Sequence, residues 1–228
     1  LRLQRVPAIV GGGVSRNANG AITVSKKDRW NERYAARDLV WSAGPNRLLA
    51  EQLEGMAPGS ALDAACGEGR NALWLAEQGW RVTAVDFSEV AIDKARRIAA
   101  RREVDVDWRV LDLSREPLPG KGWDLVCVLY LHTDPDERAI WLPKLVAAVA
   151  SGGTFLYIGH DPSNIEHGVG GPQDPDFLLS QERVADALTG FRIDAARVVE
   201  RPVDTEPGHG RERAGVALDT FVRATRVG

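Results

Sequence analysis

The sequence predicts an α/β protein: a seven-stranded, mostly parallel sheet with helices on both faces and an antiparallel strand at its C-terminal end. Three observations predict it. Short apolar runs alternate with helix-period segments along the chain, the mark of β-α repetition. The run Trp123–Leu131 is almost continuously apolar, as suits a strand covered on both faces. The last two strand patterns lie too close in sequence for a helical crossover, so they form a hairpin, and a hairpin is antiparallel.

The elements follow in order, with no internal repeat. Residues 1–24 hold Gly11–Gly13 and the Asn17–Gly20 cluster, and they carry no apolar signal-peptide core. They read as a flexible extension ahead of one domain over 25–228. Ser60–Ala65 (SALDAA) is the first strand, followed by a helix over Asn71–Gln78 that Gly79 is placed to end. Arg81–Asp86 is the second strand. Ser88 caps a helix from Glu89 to Arg101, with Val90, Ala91, Ala95, Ile98 and Ala99 on one face. Val104–Val110 alternates like a strand, and Trp123–Leu131 is the fourth. A helix from Pro135 to Ala150 and the pair Gly152 and Gly153 lead into strand Thr154–Gly159. Gln181–Leu188 reads as a helix, and Phe191–Glu200 and Val216–Thr225 as the final strands.

Composition excludes several classes. A formal net charge of -3 gives no broad basic surface, which argues against a nucleic-acid partner. No apolar run approaches the roughly 20 residues of a membrane helix. Cys66 and Cys127 stand far apart, and the four histidines form no H-x-x-x-H pair, so no metal site is expected. Two separate thiols suit a reducing, cytoplasmic setting.

Residues 63–71 read D-A-A-C-G-E-G-R-N, just after the first strand. Gly67 and Gly69 imply close approach of the backbone. In an open parallel sheet, ligands bind beyond the carboxyl ends of the strands, near the switch in strand order. A dinucleotide turn offers bare N–H groups to phosphate. Here Asp63 would repel a pyrophosphate, and Ala72 or Leu73 stands where the third glycine of G-x-G-x-x-G belongs. A carboxylate attracts an ammonium or a sulfonium instead. S-adenosylmethionine carries both and no phosphate. Asp86, ending the second strand, suits a ribose diol; nicotinamide ligands share that feature, and the alternative is that Asp86 caps the next helix.

The stretch LDAACGEGRNALWLAEQGWRVTAVDFS resembles the first two motifs of the class I S-adenosylmethionine-dependent methyltransferases. The pattern D-x-x-C-G-x-G-R, with an acid ending the next strand, carries the resemblance, which runs from about residue 28 to 225. DRWNERYA and WSAGPN are similar to the entry segment of the small-molecule branch, which includes tellurite-resistance and thiopurine-type enzymes. The resemblance implies a Rossmann-like fold and a set of roles. Asp63 and the backbone of Ala65, Cys66 and Gly67, with Gly69 in the same turn, hold the methionine part. Asp86 binds ribose, Phe87 packs on adenine, and Asp112 and Leu113 contact the adenine amino group and ring. Leu129 and Tyr130 line the floor near the sulfonium. Trp41 and Arg70 close over the cofactor. From the residues alone, Asp112 equally suits a turn before Ser114. Trp30, Tyr34 and Trp41 either roof the adenosine by cation–π attraction or pack the N-terminal helix.

Methyl transfer from a sulfonium is an in-line displacement, so the protein chiefly aligns the partners and excludes water. Methylases of base amino groups typically carry N-P-P-Y after the fourth strand; this chain has Tyr130, Leu131, His132 and Thr133. His132 is a candidate general base or a core-edge residue. His160, with Asp161, emerges after strand five as the second candidate, or as a loop anchor. Residues 162–176, rich in Gly, Pro and Asp and carrying His167, read as a lid. The expected activity is transfer to an O, S or N atom of a small aromatic or heterocyclic molecule, releasing S-adenosylhomocysteine; a chalcogen oxyanion is a further acceptor by resemblance. The rival readings are a non-catalytic S-adenosylmethionine-binding regulator and an NAD(P)-dependent oxidoreductase.

Overall fold

The computed structural model describes residues 15–16, 22–23, 25–36, 39, 44–203 and 215–228. In chain order the elements begin with strands β1 (Ser15–Arg16) and β2 (Ile22–Thr23), then helices α1 (Lys26–Ala35) and α2 (Arg47–Leu53). Next come β3 (Ser60–Ala64), α3 (Arg70–Glu77), β4 (Arg81–Asp86), α4 (Glu89–Arg102), β5 (Asp107–Val110) and β6 (Trp123–Leu129). The chain ends with α5 (Pro135–Ala147), β7 (Val149–His160), α6 (Asn164–His167), a 3-10 turn (Pro175–Phe177), α7 (Gln181–Asp186), β8 (Phe191–Val203) and β9 (Gly215–Arg226).

Seven strands form one sheet in the order β5-β4-β3-β6-β7-β9-β8. The first five are mutually parallel. β9 runs antiparallel to both β7 and β8, as the hairpin argument requires. Alternation along the strands divides the core in two. Ala61, Ala84, Leu125, Leu156 and Phe221 face α2, α3 and α4. Leu62, Val85, Val126, Phe155 and Val222 face α5 and α7. The order reverses at β3, which pairs with β4 on one side and β6 on the other, so a cleft opens above their carboxyl ends.

Local chemistry sets the helix starts. Asn46, Ser88, Asp134 and Ser180 each cap a helix by accepting a backbone N–H. Several boundaries differ from the expected ones: the fourth strand stops at Leu129, α5 at Ala147, and β8 runs on to Val203. β5 starts only at Asp107, because Glu103 ends α4 in the left-handed conformation and Val104 then packs on the core. β7 starts at Val149, so Gly152 and Gly153 lie inside a strand. Gly152 has φ 75°, and the ladder to β6 shifts register between Trp123 and Leu125, so the glycines form a bulge. α7 stops two residues early, at Asp186. β1 and β2 form a separate antiparallel pair within the stretch expected to be an extension. Among the described residues, no helix is long and apolar enough to cross a membrane.

Candidate active site

Asp63 lies inside β3, between Ala84 of β4 and Cys127 of β6, and is 1% exposed. Its Oδ1 is 3.9 Å from Cys127 Sγ, while Oδ2 is buried and has no hydrogen-bond partner. Burial, assisted by the Asp86 charge, pushes its carboxyl up to about 7 against the opposing pull of the Ala72 N–H and the Arg70 charge. The chain then turns sharply. Ala65 has φ 59°, a left-handed conformation that a residue with a Cβ adopts only under constraint, and Gly67 follows at φ 56°. Cys66 N–H donates to the Val85 carbonyl at 3.0 Å and Gly69 N–H to the Cys66 carbonyl at 3.0 Å, which fixes the turn above β4.

Asp86 joins the two motifs. Its Oδ2 accepts from Gly67 N–H at 2.9 Å and its Oδ1 from Ser88 N–H at 2.9 Å. Burial raises its carboxyl to about 6. Ser88, not Asp86, caps α4. Burial also pushes both the Cys66 and Cys127 thiols up, so neither is a reactive thiolate.

The two glycines of the turn differ. A Cβ at Gly69 would lie 2.3 Å from the Trp108 indole, and its φ is 79°. The close approach expected at a ligand is therefore, at Gly69, an approach to the β5 side chain. Glu68 between the glycines is also turned inward. It is 3% exposed and pairs with Lys94 at 3.1 Å, and Lys94 also donates to the Tyr34 carbonyl at the end of α1. A Glu between two glycines gives no sequence signal of such burial.

Asp112 forms a turn: its Oδ1 accepts from the backbone and hydroxyl of Ser114 at 2.9 and 2.6 Å. Leu113 and Leu129 are buried on opposite faces of the sheet, and Phe87 is half-buried at the mouth. Arg70 opens α3, where its charge acts on Asp63 and Tyr130. Trp30 and Tyr34 pack together at 5.6 Å and cover Val90 and Ala91 of α4. Their described role is thus to seat α1, which Asn31 reinforces by accepting from the Ser88 hydroxyl at 2.6 Å. Trp41 lies outside the described residues.

The second half of the site forms where β6, β7, β8 and β9 meet. Tyr130 leaves β6 with φ 54°. Its hydroxyl donates to Asp219 Oδ2 at 2.6 Å, and Arg201 Nε donates to the same oxygen at 2.7 Å. The Arg201 guanidinium lies 5.4 Å from the Tyr130 ring centroid. Burial and the Asp219 charge push the Tyr130 phenol up, so it remains a donor. His160 stands opposite Asp219 in the β7–β9 ladder, with Nδ1 3.3 Å from Oδ1. Neither of these buried atoms has an aligned hydrogen bond. Burial holds the His160 pKa below its ordinary value, so the contact is a close approach of a neutral imidazole to a carboxylate.

His132 stacks on His160 at 5.4 Å. Its Nε2 accepts the His160 backbone N–H at 3.2 Å, and burial followed by the His160 charge lowers its pKa to about 3. That lone pair is occupied, which fits the core-edge alternative for His132. The segment over 162–176, read from the sequence as a lid, lies closed against β7 and β9. Asn164 Oδ1 accepts from Leu218 N–H at 2.7 Å and its Nδ2 donates to the Gly170 carbonyl at 2.9 Å. Gly171 lies flat on His160, with a built Cβ only 2.6 Å from the ring. A small open cleft runs beside this cluster, walled by Asn46, Tyr130, Ile158 and Val199 and by the charged Arg47, Glu51, Glu200, Arg201 and Asp219. Asp219, Arg201 and Asn46 were not singled out by sequence, since each is an isolated polar residue far along the chain from the glycine turn.

A mostly parallel sheet of this order, with an acid-led glycine turn at its switch point and a second acid ending the next strand, defines a Rossmann-like α/β protein with a cleft at the carboxyl ends of its strands. The chain belongs to the class I S-adenosylmethionine-dependent methyltransferases. Residues 61–153 match the family model described as a methyltransferase domain. The chain is 32% identical over 172 residues to the 2-heptyl-1-hydroxyquinolin-4(1H)-one methyltransferase of Mycobacteroides abscessus, covering 73% of this chain and 75% of that protein. It is 27% identical over 133 residues to a ubiquinone biosynthesis O-methyltransferase of Coxiella burnetii, spanning 58% of this chain and 56% of the relative. TehB of Haemophilus influenzae shares the fold at a TM-score of 0.67 and 14% identity, over 88% of this chain and 67% of that one.

Proposed function

We propose that the protein methylates an O, S or N nucleophile of a small, flat aromatic or heterocyclic molecule and releases S-adenosylhomocysteine. The observation that carries this reading is the buried Asp63 carboxylate with its unpartnered Oδ2, one strand away from Asp86. A buried carboxylate oxygen without a donor is costly, and an ammonium satisfies it. Asp86 accepts from the Gly67 and Ser88 N–H groups, with the Phe87 N–H also acting on it, and its remaining lone-pair capacity suits a ribose diol.

When bound, S-adenosylmethionine supplies an electrophilic methyl group on a sulfonium. Asp63 and the backbone of Ala65, Cys66 and Gly67 hold its methionine end, in the turn that Gly69 completes. Asp86 takes the ribose, and Phe87, Asp112 and Leu113 flank the adenine. Leu129 and Tyr130 form the floor. Arg70 and Trp41 close the methionine side. Of the two histidines, His160 is placed to help remove a proton, since Asp219 faces its Nδ1 whereas His132 Nε2 is already taken. The names of two relatives, a quinolone and a ubiquinone methyltransferase, support a small-molecule acceptor. The net charge of -3 weighs against a nucleic acid, and a cytoplasmic setting fits two free, buried thiols.

Titration calorimetry with S-adenosylmethionine and with NAD(H), followed by a screen of phenols, thiols and N-heterocycles for S-adenosylhomocysteine release, tests the proposal. Binding of NAD(H) alone overturns it, and cofactor binding without release on any acceptor makes the chain a regulator instead. We assign this activity to residues 25–228, with 1–24 an extension; a chain starting near Val24 that fails to fold or bind refutes that boundary.

A further inference from the structure

We infer that Asp219, Tyr130 and Arg201 are the acceptor-binding end of the site, and that the acceptor atom they take is a hydroxyl oxygen on a planar apolar scaffold. The inference rests on the methyltransferase reading above and adds the class of nucleophile.

Asp219 walls the open cleft, and its side chain is only 3% exposed. Its Oδ2 is filled by two donors, the Tyr130 hydroxyl and Arg201 Nε. Its Oδ1 is buried and has no hydrogen bond, although it faces His160 Nδ1 at 3.3 Å. A carboxylate oxygen whose one close neighbour is not aligned as a hydrogen bond keeps a lone pair for a further donor. Beside it, Arg201 has a guanidinium that can only donate, and its side chain is 30% exposed at the cleft. The pair therefore suits an atom that donates to Asp219 and accepts from Arg201. A hydroxyl oxygen does both. An arylamine donates but accepts poorly, because its lone pair is delocalised into the ring, and a thiol is weak in both senses.

The walls describe the rest of the acceptor. Arg201 Cζ covers the Tyr130 ring, 5.4 Å from its centroid, and with Ile158 and Val199 they give one flat stretch of wall, beside the charged Arg47, Glu51 and Glu200, against which a planar acceptor can lie. During transfer, the acceptor oxygen forms a bond to the methyl carbon as the carbon–sulfur bond breaks. Sulfur keeps that electron pair and loses its positive charge. The hydroxyl proton passes to the Asp219–His160 pair and then to water, so the net release is one proton. Arg201 holds the oxygen's developing charge until the new bond forms.

The test uses the whole protein and matched acceptors: 1-naphthol, naphthalene-1-thiol and 1-naphthylamine, with the corresponding 4-substituted quinolines. S-adenosylhomocysteine release gives kcat/KM for each. The hydroxyl member of at least one series is expected to exceed its thiol and amine partners at least tenfold. Arg201→Met is expected to lower the hydroxyl kcat/KM at least thirtyfold, with the calorimetric Kd for S-adenosylmethionine unchanged within twofold. Asp219→Asn should behave alike; if that variant does not fold, Arg201→Met and the wild-type panel decide. A preference for thiol or amine, no transfer to any hydroxyl by cofactor-bound protein, or an Arg201→Met enzyme within threefold of wild type overturns the inference. Failure to bind S-adenosylmethionine at all defeats the methyltransferase reading instead, so the two failures are distinguishable.

Discussion

The two halves of the site each hold a buried aspartate with one unpartnered oxygen, yet they are built in opposite ways. Asp63 receives no charged hydrogen bond: the Cys127 thiol lies at one oxygen and Arg70 acts only through its charge. Asp219 is already bound by a guanidinium and a phenol. A carboxylate lacking a counter-ion waits for a cation. A carboxylate that has one can select by hydrogen-bond pattern. On the proposed reading, the cofactor half gains affinity from net charge and the acceptor half gains specificity from donors and acceptors.

Asp86→Ala should break the cofactor half most severely. It removes two potential charged bonds to a ribose and also frees Gly67 N–H. S-adenosylmethionine binding is expected to weaken by about 2–4 kcal/mol, roughly 30- to 1000-fold. Calorimetry gives the number, and an unchanged Kd refutes the ribose role. Next in size is Gly69→Ala, which acts on the fold and not on the ligand. A left-handed alanine costs about 1–2 kcal/mol, and displacing Trp108 adds about 1 or more. The expected loss is about 2–3 kcal/mol in a urea titration; a loss below about 1 kcal/mol would mean that Trp108 moves freely.

A smaller effect tests Asp63 by pH. A bound cation requires its ionised form, and burial places the carboxyl at about 7 in the free protein. Below that pH a proton competes, so the apparent Kd should rise by up to about tenfold per unit, near 1.4 kcal/mol. Stability of the cofactor-free protein runs the other way. A pKa raised above the ordinary 3.8 favours the folded state at low pH, and that contribution is lost as pH rises through about 7. Asp63→Asn should flatten both curves. A Kd that is constant between pH 5 and 8 in the wild type would remove the charge argument.

The contrast between the halves also explains what the sequence could and could not tell. Gly67 and Asp86 meet across 19 residues, within one strand–helix–strand unit, so their spacing is a local signal. The β-α alternation, and with it the mostly parallel sheet, follows from the same local repeats. Tyr130 and Asp219 meet across 89 residues, through a ladder whose register no local pattern specifies. Asp219 therefore reads as an ordinary polar residue in LDTF, and Arg201 as one more charge on an edge strand. The inward turn of Glu68 was hidden for a related reason, since Lys94 lies a helix away. Asp112 shows the opposite limit: its turn with Ser114 was legible, and only the resemblance gave it an adenine role.

The smallest expected effect on turnover is the most discriminating. His132 and His160 stack in the same site, and sequence alone gives them equal claims as a base. The structure makes them unequal. His132 Nε2 is the acceptor for the His160 backbone N–H, so it holds β7 in place at the residue that faces Asp219. Removing it leaves a donor unmatched, which costs about 1–2 kcal/mol of stability. On the proposed reading it removes no proton acceptor from the reaction. His132→Ala should accordingly lower the melting temperature while kcat stays within threefold of wild type. His160→Ala should lower kcat at least tenfold with little change in cofactor affinity. The pair is measured under saturating S-adenosylmethionine on the best acceptor of the screen, at a temperature where both variants are folded. Equal losses of kcat would mean that the stacked rings act as a unit, and that the hydrogen bond from His160 to His132 positions the base instead of merely supporting the strand.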